Sequence, residues 1–237
     1  ALSKRAEKEK FKVNLYTGAS LGPAADQSMA EAGIVNLRVP YQANPVMRNK
    51  INAGEMFYID QHLSHTAEEV RKGTLGKIDY AVIEAAAITE DGLIIPTGSV
   101  GNSPIFVQKA ENVIIELNTS APKEYEGLHD IYVLPEQGER KEIPLYSVGD
   151  RIGEKGIRVE PEKVKGIIIS EQPDIPSPLF EPNEDTQKIA EHLLDFLAGE
   201  VEAGRLPNSL APLQSGVGSV ANAVLKAMKD SQFKDIE

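Results

Sequence analysis

The sequence has 237 residues, a formal net charge of −11, 41% hydrophobic and 5% aromatic residues, and neither cysteine nor tryptophan. The missing cysteines exclude disulfides, thiolate catalysis and Cys-ligated zinc, and the acidic, aromatic-poor composition argues against a nucleic-acid surface. With no run near the roughly 18 apolar residues of a membrane span and no visible signal peptide, the expectation is a soluble, cytoplasmic protein (mitochondrial if eukaryotic) that meets anions with local amides.

Both ends look cut: Ala1 stands inside a helical pattern with no capping residue before it, and Glu237 follows Phe-Lys-Asp-Ile where a strand would begin. The expectation is a piece of a longer protein. Phe11 to Tyr16 is a short β-prone run that stops at Thr17-Gly-Ala-Ser-Leu-Gly-Pro23, and Ala24 to Ala32 reads as a helix. Strand, small-residue turn and helix make the βα unit of an α/β sheet, whose ligands bind at the carboxyl ends of the strands. Ser20 is placed there either to touch a substrate or to bond backbone within the turn. Tyr41 to Lys50 reads as a polar connection, and Met56 to Ile59 as the next strand. His62 and His65 lack a third ligand at a recognisable spacing, so a polar loop with Ser64 or Thr66 capping a helix is preferred, and no metal is expected.

Ile78 to Ile88 is the most continuous apolar run and is expected to be a central buried strand. Glu84 within it requires either a face open to a pocket or a hydrogen-bonding or basic partner. After a short strand at Leu93 to Ile95, a second small-residue loop, Pro96-Thr-Gly-Ser-Val-Gly-Asn-Ser-Pro104, precedes a helix to Ala110 and the strand Asn112 to Leu117. The repeat of the βα pattern adds Ser99, Gly101 and Asn102 as site candidates. It predicts one mainly parallel sheet, flanked by helices, with strands near Phe11, Met56, Ile78, Val113 and Val164 and with the loops at Ser20 and Asn102 close together.

Asn118 to Pro161 is polar and irregular, and His129 within it is assigned to structure. Val164 to Ser170 reads as one more buried strand. Glu171 to Pro182 holds four prolines in twelve residues and reads as a linker. Beyond it Asn183 or Asp185 caps a helix from Glu184 to Ala203 with Ile189, Leu193, Phe196, Leu197 and Val201 on one face. The expected organisation is an N-terminal α/β domain over 1–172, incomplete at its start, a Pro-rich linker at 173–183, and the beginning of a C-terminal α/β domain over 184–237. In that last part Gly216-Val217-Gly218 opens an Ala-rich amphipathic segment. Amides turned outward there, with the partial positive charge of a helix N-terminus behind them, would hold a phosphate or the oxyanion of a thioester under attack. The same pattern also describes a tight loop that merely starts a helix.

With these segments located, the sequence closely resembles the acetyl-CoA hydrolase/transferase family of class I CoA-transferases. The resemblance is carried by Thr17-Gly-Ala-Ser-Leu-Gly-Pro23, Arg48-Asn-Lys-Ile-Asn-Ala-Gly54, Asp60-Gln-His-Leu-Ser-His65, Ser99-Val-Gly-Asn-Ser-Pro104, Glu126-Gly-Leu-His-Asp130 and Pro212-Leu-Gln-Ser-Gly-Val-Gly218 with Ala221-Asn-Ala-Val224, in the family's order. It implies two related α/β domains with an active site between them, and transfer of coenzyme A from an acyl-CoA to a small carboxylate of the acetate or succinate type. A glutamate would attack the thioester and pass through an acyl anhydride to a glutamyl-CoA thioester. The Val217 amide, beside Gly218, would stabilise the oxyanion. Pro212, Leu213, Gln214, Ser215 and Gly216 would line the coenzyme A site, with Ser20, Gly101 and Asn102 at the carboxylate. Coenzyme A enters as substrate, with no tightly bound cofactor. The implied partners are the rest of the same polypeptide and a second copy in a homodimer, with neither nucleic acid nor membrane. One departure matters: the family's nucleophilic glutamate follows the position of Glu237, and Glu237 is not that residue. An acyl-CoA hydrolase and a non-catalytic CoA-binding fragment remain as alternatives, whereas a sugar-phosphate isomerase of similar architecture would need an acid/base pair that the sequence does not offer.

Overall fold

Short apolar runs that end on small-residue turns give the chain parallel strands with helical crossovers. The computed structural model describes residues 2–147, 149–174, 181–216 and 218–236. The chain divides into two units, Ala1–Asp174 and Ile175–Glu237.

In the first unit α1 (Leu2–Glu9) precedes β1 (Val13–Tyr16), and a π-helical turn at Pro23–Gln27 runs into α2 (Ser28–Glu31). Next come β2 (Val35–Val39), α3 (Pro45–Asn52) and β3 (Phe57–Tyr58). The three strands pair in parallel in the order β1-β2-β3, with Tyr16 opposite Val39 and Arg38 opposite Tyr58. Met29, Ala30, Val35, Met47 and Met56 form the core of this layer. α3 corrects the reading of Tyr41 to Lys50 as a polar connection. Asn44 caps it, its Oδ1 accepting from the amides of Val46 at 3.0 Å and Met47 at 3.2 Å, and Pro45 occupies its first turn.

α4 (Leu63–Lys72), β4 (Ile78–Ala85), β5 (Ala87–Ile88), β6 (Leu93–Ile95), α5 (Ser103–Lys109), β7 (Ala110–Asn118), β8 (Ile157–Arg158) and β9 (Val164–Ser170) build the rest of the unit. β4, β7 and β9 pair in parallel with β7 in the middle, and β5, β6 and β8 form a small antiparallel sheet. The parallel strands thus fall into two three-stranded sheets where one was expected. Val70 of α4 and Ile105 and Val107 of α5 pack with Ile83, Val113 and Ile115.

Two strands expected to be buried lie at the ends of the second sheet. β4 alternates, with Ala81, Ile83 and Ala85 inside while Tyr80 and Val82 are 59% and 62% exposed. On β9 Ile167, Ile168 and Ile169 are all exposed. Consecutive isoleucines suit a strand covered on both faces, but the pattern does not say what covers them. The polar loop expected after Asp60 is helical from Leu63 onward. Thr66 does not cap that helix: its Oγ1 accepts from the Gln61 side chain at 2.8 Å. His62 and His65 meet edge to face at 5.5 Å.

The second unit contains α6 (Glu184–Glu202) and α7 (Ser219–Lys229). Asn183 and Thr186 form a reciprocal capping box, each side chain accepting the other's amide, at 2.9 and 3.0 Å. Leu194, Leu197, Ala198 and Val201 pack against Leu210, Met228 and Phe233. Ile189, Leu193 and Phe196, expected on that face, are exposed, because the apolar stripe of α6 is broader than the surface that meets it. Residues 175–180 of the proline-rich stretch lie outside the described residues.

Candidate functional site

β1 delivers the first small-residue loop. The Tyr16 hydroxyl donates to the Leu75 carbonyl at 2.8 Å, and the Thr17 amide donates to Val39 O at 3.0 Å. The Thr17 hydroxyl donates to Ala19 O at 2.7 Å and accepts from Arg38 Nη1 at 2.6 Å. Arg38 also reaches Val39 O at 2.8 Å and, through Nη2, Ala19 O at 3.4 Å. Its guanidinium is wholly buried and faces the equally buried Asp26 carboxylate at 3.6 Å. Burial pulls the Arg38 pKa below its ordinary value, against the pull of Asp26. Asp26 Oδ2 accepts the Ser20 hydroxyl at 2.8 Å and the Leu21 amide at 2.9 Å, and the Ser20 oxygen accepts the Ala43 amide at 3.1 Å.

The second loop meets the first. A methyl group on Gly18 would lie 3.4 Å from Asn102 N and 3.7 Å from the Gly101 Cα, and Asn102 Nδ2 donates to the Thr17 carbonyl at 3.4 Å. Gly101 has a φ of +49°, a region that favours glycine. The structure therefore sets Gly101 and Asn102 against Gly18 at the carboxyl end of β1, two residues before Ser20, whose hydroxyl is engaged by Asp26 and Ala43. Among the described residues, the amides of Gly18, Ala19, Ser20 and Gly101 have no hydrogen-bond acceptor.

Glu84 anchors the second loop. Its carboxylate accepts from Thr97 Oγ1 at 3.2 Å and Asn118 Nδ2 at 2.8 Å, which joins the ends of β4 and β7 to this loop. The Glu84 side chain thus has both an open face and hydrogen-bonding partners. His129 Nε2 lies 3.3 Å from Pro96 O and its ring stacks on Tyr125, whose hydroxyl approaches Gly98. This packs the Glu126–Asp130 segment onto the loop. A cavity of about 520 Å³ opens between α5 and β8, lined by Val107, Ile131, Arg158 and Lys163, and no candidate residue lines it. Among the described residues, no cluster of three or more His, Asp or Glu could hold a metal ion.

In the second unit, Pro212, Leu213, Gln214, Ser215 and Gly216 are exposed and lead to Gly218, whose φ of +148° starts α7. Val217, the expected oxyanion amide, lies outside the described residues. Asp26 and Arg38 were missed from sequence. The available signal was the charged residue inside Val35-Asn-Leu-Arg-Val39, the same anomaly that marked Glu84.

Residues 1–170 match the model of the acetyl-CoA hydrolase/transferase N-terminal domain. The chain belongs to this family. It is 46% identical, along its whole length, to the succinyl-CoA:acetate CoA-transferase of Clostridium kluyveri, of which it covers 44%. It is 42% identical over 96% of its length to the acetyl-CoA hydrolase of Schizosaccharomyces pombe, covering 45% of that protein. The propanoyl-CoA:succinate CoA transferase of Escherichia coli is 36% identical over 98% of the chain, which covers 48% of it. The chain thus spans somewhat less than half of these relatives. Its fold is similar to that of RipA from Yersinia pestis, with a TM-score of 0.64 at 16% identity over 97% of this chain and 46% of that one. A 4-hydroxybutyrate CoA-transferase from Porphyromonas gingivalis gives a TM-score of 0.50 at 17% identity, over 96% of this chain and 50% of that one.

Proposed function

We propose that the full-length protein transfers coenzyme A between an acyl-CoA and a small carboxylate of the acetate or succinate type. The observation that carries this reading is the meeting of Gly18 with Gly101 and Asn102, which sets amides without acceptors at the carboxyl end of a parallel strand. Such amides suit a carboxylate. In this reading a glutamate outside residues 1–237 attacks the thioester and expels CoA thiolate, giving an acyl-glutamyl anhydride. The thiolate then attacks the glutamyl carbonyl and releases the acyl group as a carboxylate. The incoming carboxylate reverses the two steps. The Val217 amide and Gly218 serve the oxyanions, and the 212–216 segment serves coenzyme A, which comes as substrate and not as a bound cofactor. The proposed setting is a homodimer in the cytoplasm, or in the mitochondrion of a eukaryote. A second reading, hydrolysis, is favoured by the S. pombe relative's name. There water would replace the acceptor.

Treating the full-length protein with acetyl-CoA and then borohydride tests the covalent step. One glutamate is expected to be reduced, on a peptide outside residues 1–237, and succinate should speed loss of acetyl-CoA well above the rate in water alone. Reduction at Glu84, or at any other carboxylate of this chain, would overturn the assignment. Equal rates with and without an acceptor would establish the hydrolase.

A further inference from the structure

We propose that Asp26 and Arg38 are positioning residues for the Ser20 loop, and that the donor this loop offers a substrate carboxylate is the Ser20 backbone amide and not its hydroxyl. The proposal rests on the coenzyme A transfer reading above. A serine hydroxyl has one proton and two lone pairs. Here the proton is committed to Asp26 Oδ2 at 2.8 Å, and the Ala43 amide occupies a lone pair at 3.1 Å. A carboxylate only accepts hydrogen bonds, so this hydroxyl has nothing left to give it.

The backbone of the loop points the other way. In a trans, planar peptide the C=O of one residue and the N–H of the next are oppositely directed. The Ala19 carbonyl is drawn inward by the Thr17 hydroxyl and by Arg38 Nη2. The Ser20 N–H is therefore turned away from the buried pair, and it has no acceptor among the described residues. Asp26 fixes the next peptide by accepting the Leu21 amide at 2.9 Å. Both charged side chains are wholly buried within the layer that carries the loop, and Asp26 Oδ1 and Arg38 Nε have no hydrogen-bond partner. A buried charged pair that loosely satisfied is poor as a stabiliser, and its use is in the loop conformation it dictates.

The test uses the full-length enzyme with Ser20→Ala, Asp26→Asn and the double variant. Two quantities are read: exchange of the Leu21 amide in the ligand-free protein, and the KM values for carboxylate and acyl-CoA separately. Ser20→Ala keeps the Ser20 amide and the Asp26 acceptor. It should speed Leu21 exchange about tenfold and raise the carboxylate KM about tenfold, with the acyl-CoA KM within about twofold. The double variant should be no worse than Asp26→Asn alone, because the two act as one unit. A raised carboxylate KM with unchanged Leu21 exchange would show that the hydroxyl touches substrate, and would overturn the proposal. So would a Ser20→Ala enzyme with neither quantity altered, or additive effects in the double variant. If Asp26→Asn does not fold, Ser20→Ala decides alone. If the unsubstituted enzyme transfers no coenzyme A, the functional reading fails, while Leu21 exchange still decides whether the hydroxyl holds the loop.

Discussion

At the scale of single residues, the buried pair is where the chain takes its largest electrostatic risk. Arg38 and Asp26 are both fully buried and 3.6 Å apart, whereas Arg5 and Glu9 on α1 form an ion pair with side chains 70% and 52% exposed. Arg38→Met should therefore destabilise the full-length protein by about 3–5 kcal/mol, because it strands the Asp26 charge without a partner. For a domain of this size that lowers the thermal midpoint by roughly 10 °C. Arg5→Ala should leave the midpoint unmoved within error, since exposed pairs are screened by water and salt. Replacing both partners, Arg38→Met with Asp26→Leu, should recover much of the loss. A double variant as unstable as the single one would mean that the pair stabilises the fold outright. The sequence exposed the small-residue loops, and hence Ser20, Gly101 and Asn102, because glycine and serine after a β-prone run mark the end of a strand. It did not expose Asp26 or Arg38. The charge inside Val35-Asn-Leu-Arg-Val39 called for a partner as Glu84 did, but nothing in the sequence pointed to Asp26, on the preceding helical turn, as that partner.

Among the elements, the legible ones had either a long periodic stripe or a strong terminal signal. α6 had both, and its start was readable from Asn183. Removing that cap by Asn183→Ala deletes the acceptor for the Thr186 amide at 2.9 Å and should cost about 1 kcal/mol, measured as a shift in the denaturation midpoint. An unchanged midpoint would mean that water replaces the side chain without loss. α3 was missed for the opposite reason: it is short, and its apolar face is only Val46, Met47 and Ile51, too few residues to stand out as a period. Its Asn-Pro start was visible, but the polar residues after it looked like a loop. β2 was overlooked although Val35-Asn-Leu-Arg-Val39 alternates as a strand does, because five residues with a charge among them make a weak signal. It is nonetheless the middle strand of the first sheet, and through Arg38 it shapes the loop that β1 delivers.

For the whole chain, what the sequence could not convey is which apolar surface these 237 residues leave uncovered. Among the described residues β9 pairs with β7 alone, and Ile167, Ile168 and Ile169 are 52%, 55% and 61% exposed. The register puts Tyr80 opposite Asn112, Val82 opposite Ile114 and Ile168 opposite Glu116, so Tyr80, Val82 and Ile168 share one sheet face. An exposed apolar strand with a free edge is a template for pairing with another copy. The relatives are more than twice as long as this chain, so they contain further surface with which to cover such a face. A polypeptide of residues 1–237 alone should accordingly bind a hydrophobic dye and self-associate at micromolar concentration, while the full-length protein should do neither beyond its native assembly. Ile168→Lys places a charge on the edge strand and should markedly reduce both dye binding and association of the short polypeptide, as read by sedimentation and light scattering. In the full-length protein the same substitution should be destabilising, because there the lysine would be buried. A short polypeptide that stays monomeric and binds no dye would mean that its own residues cover these strands in solution. A full-length protein indifferent to Ile168→Lys would mean that this face stays open to water in the complete molecule as well.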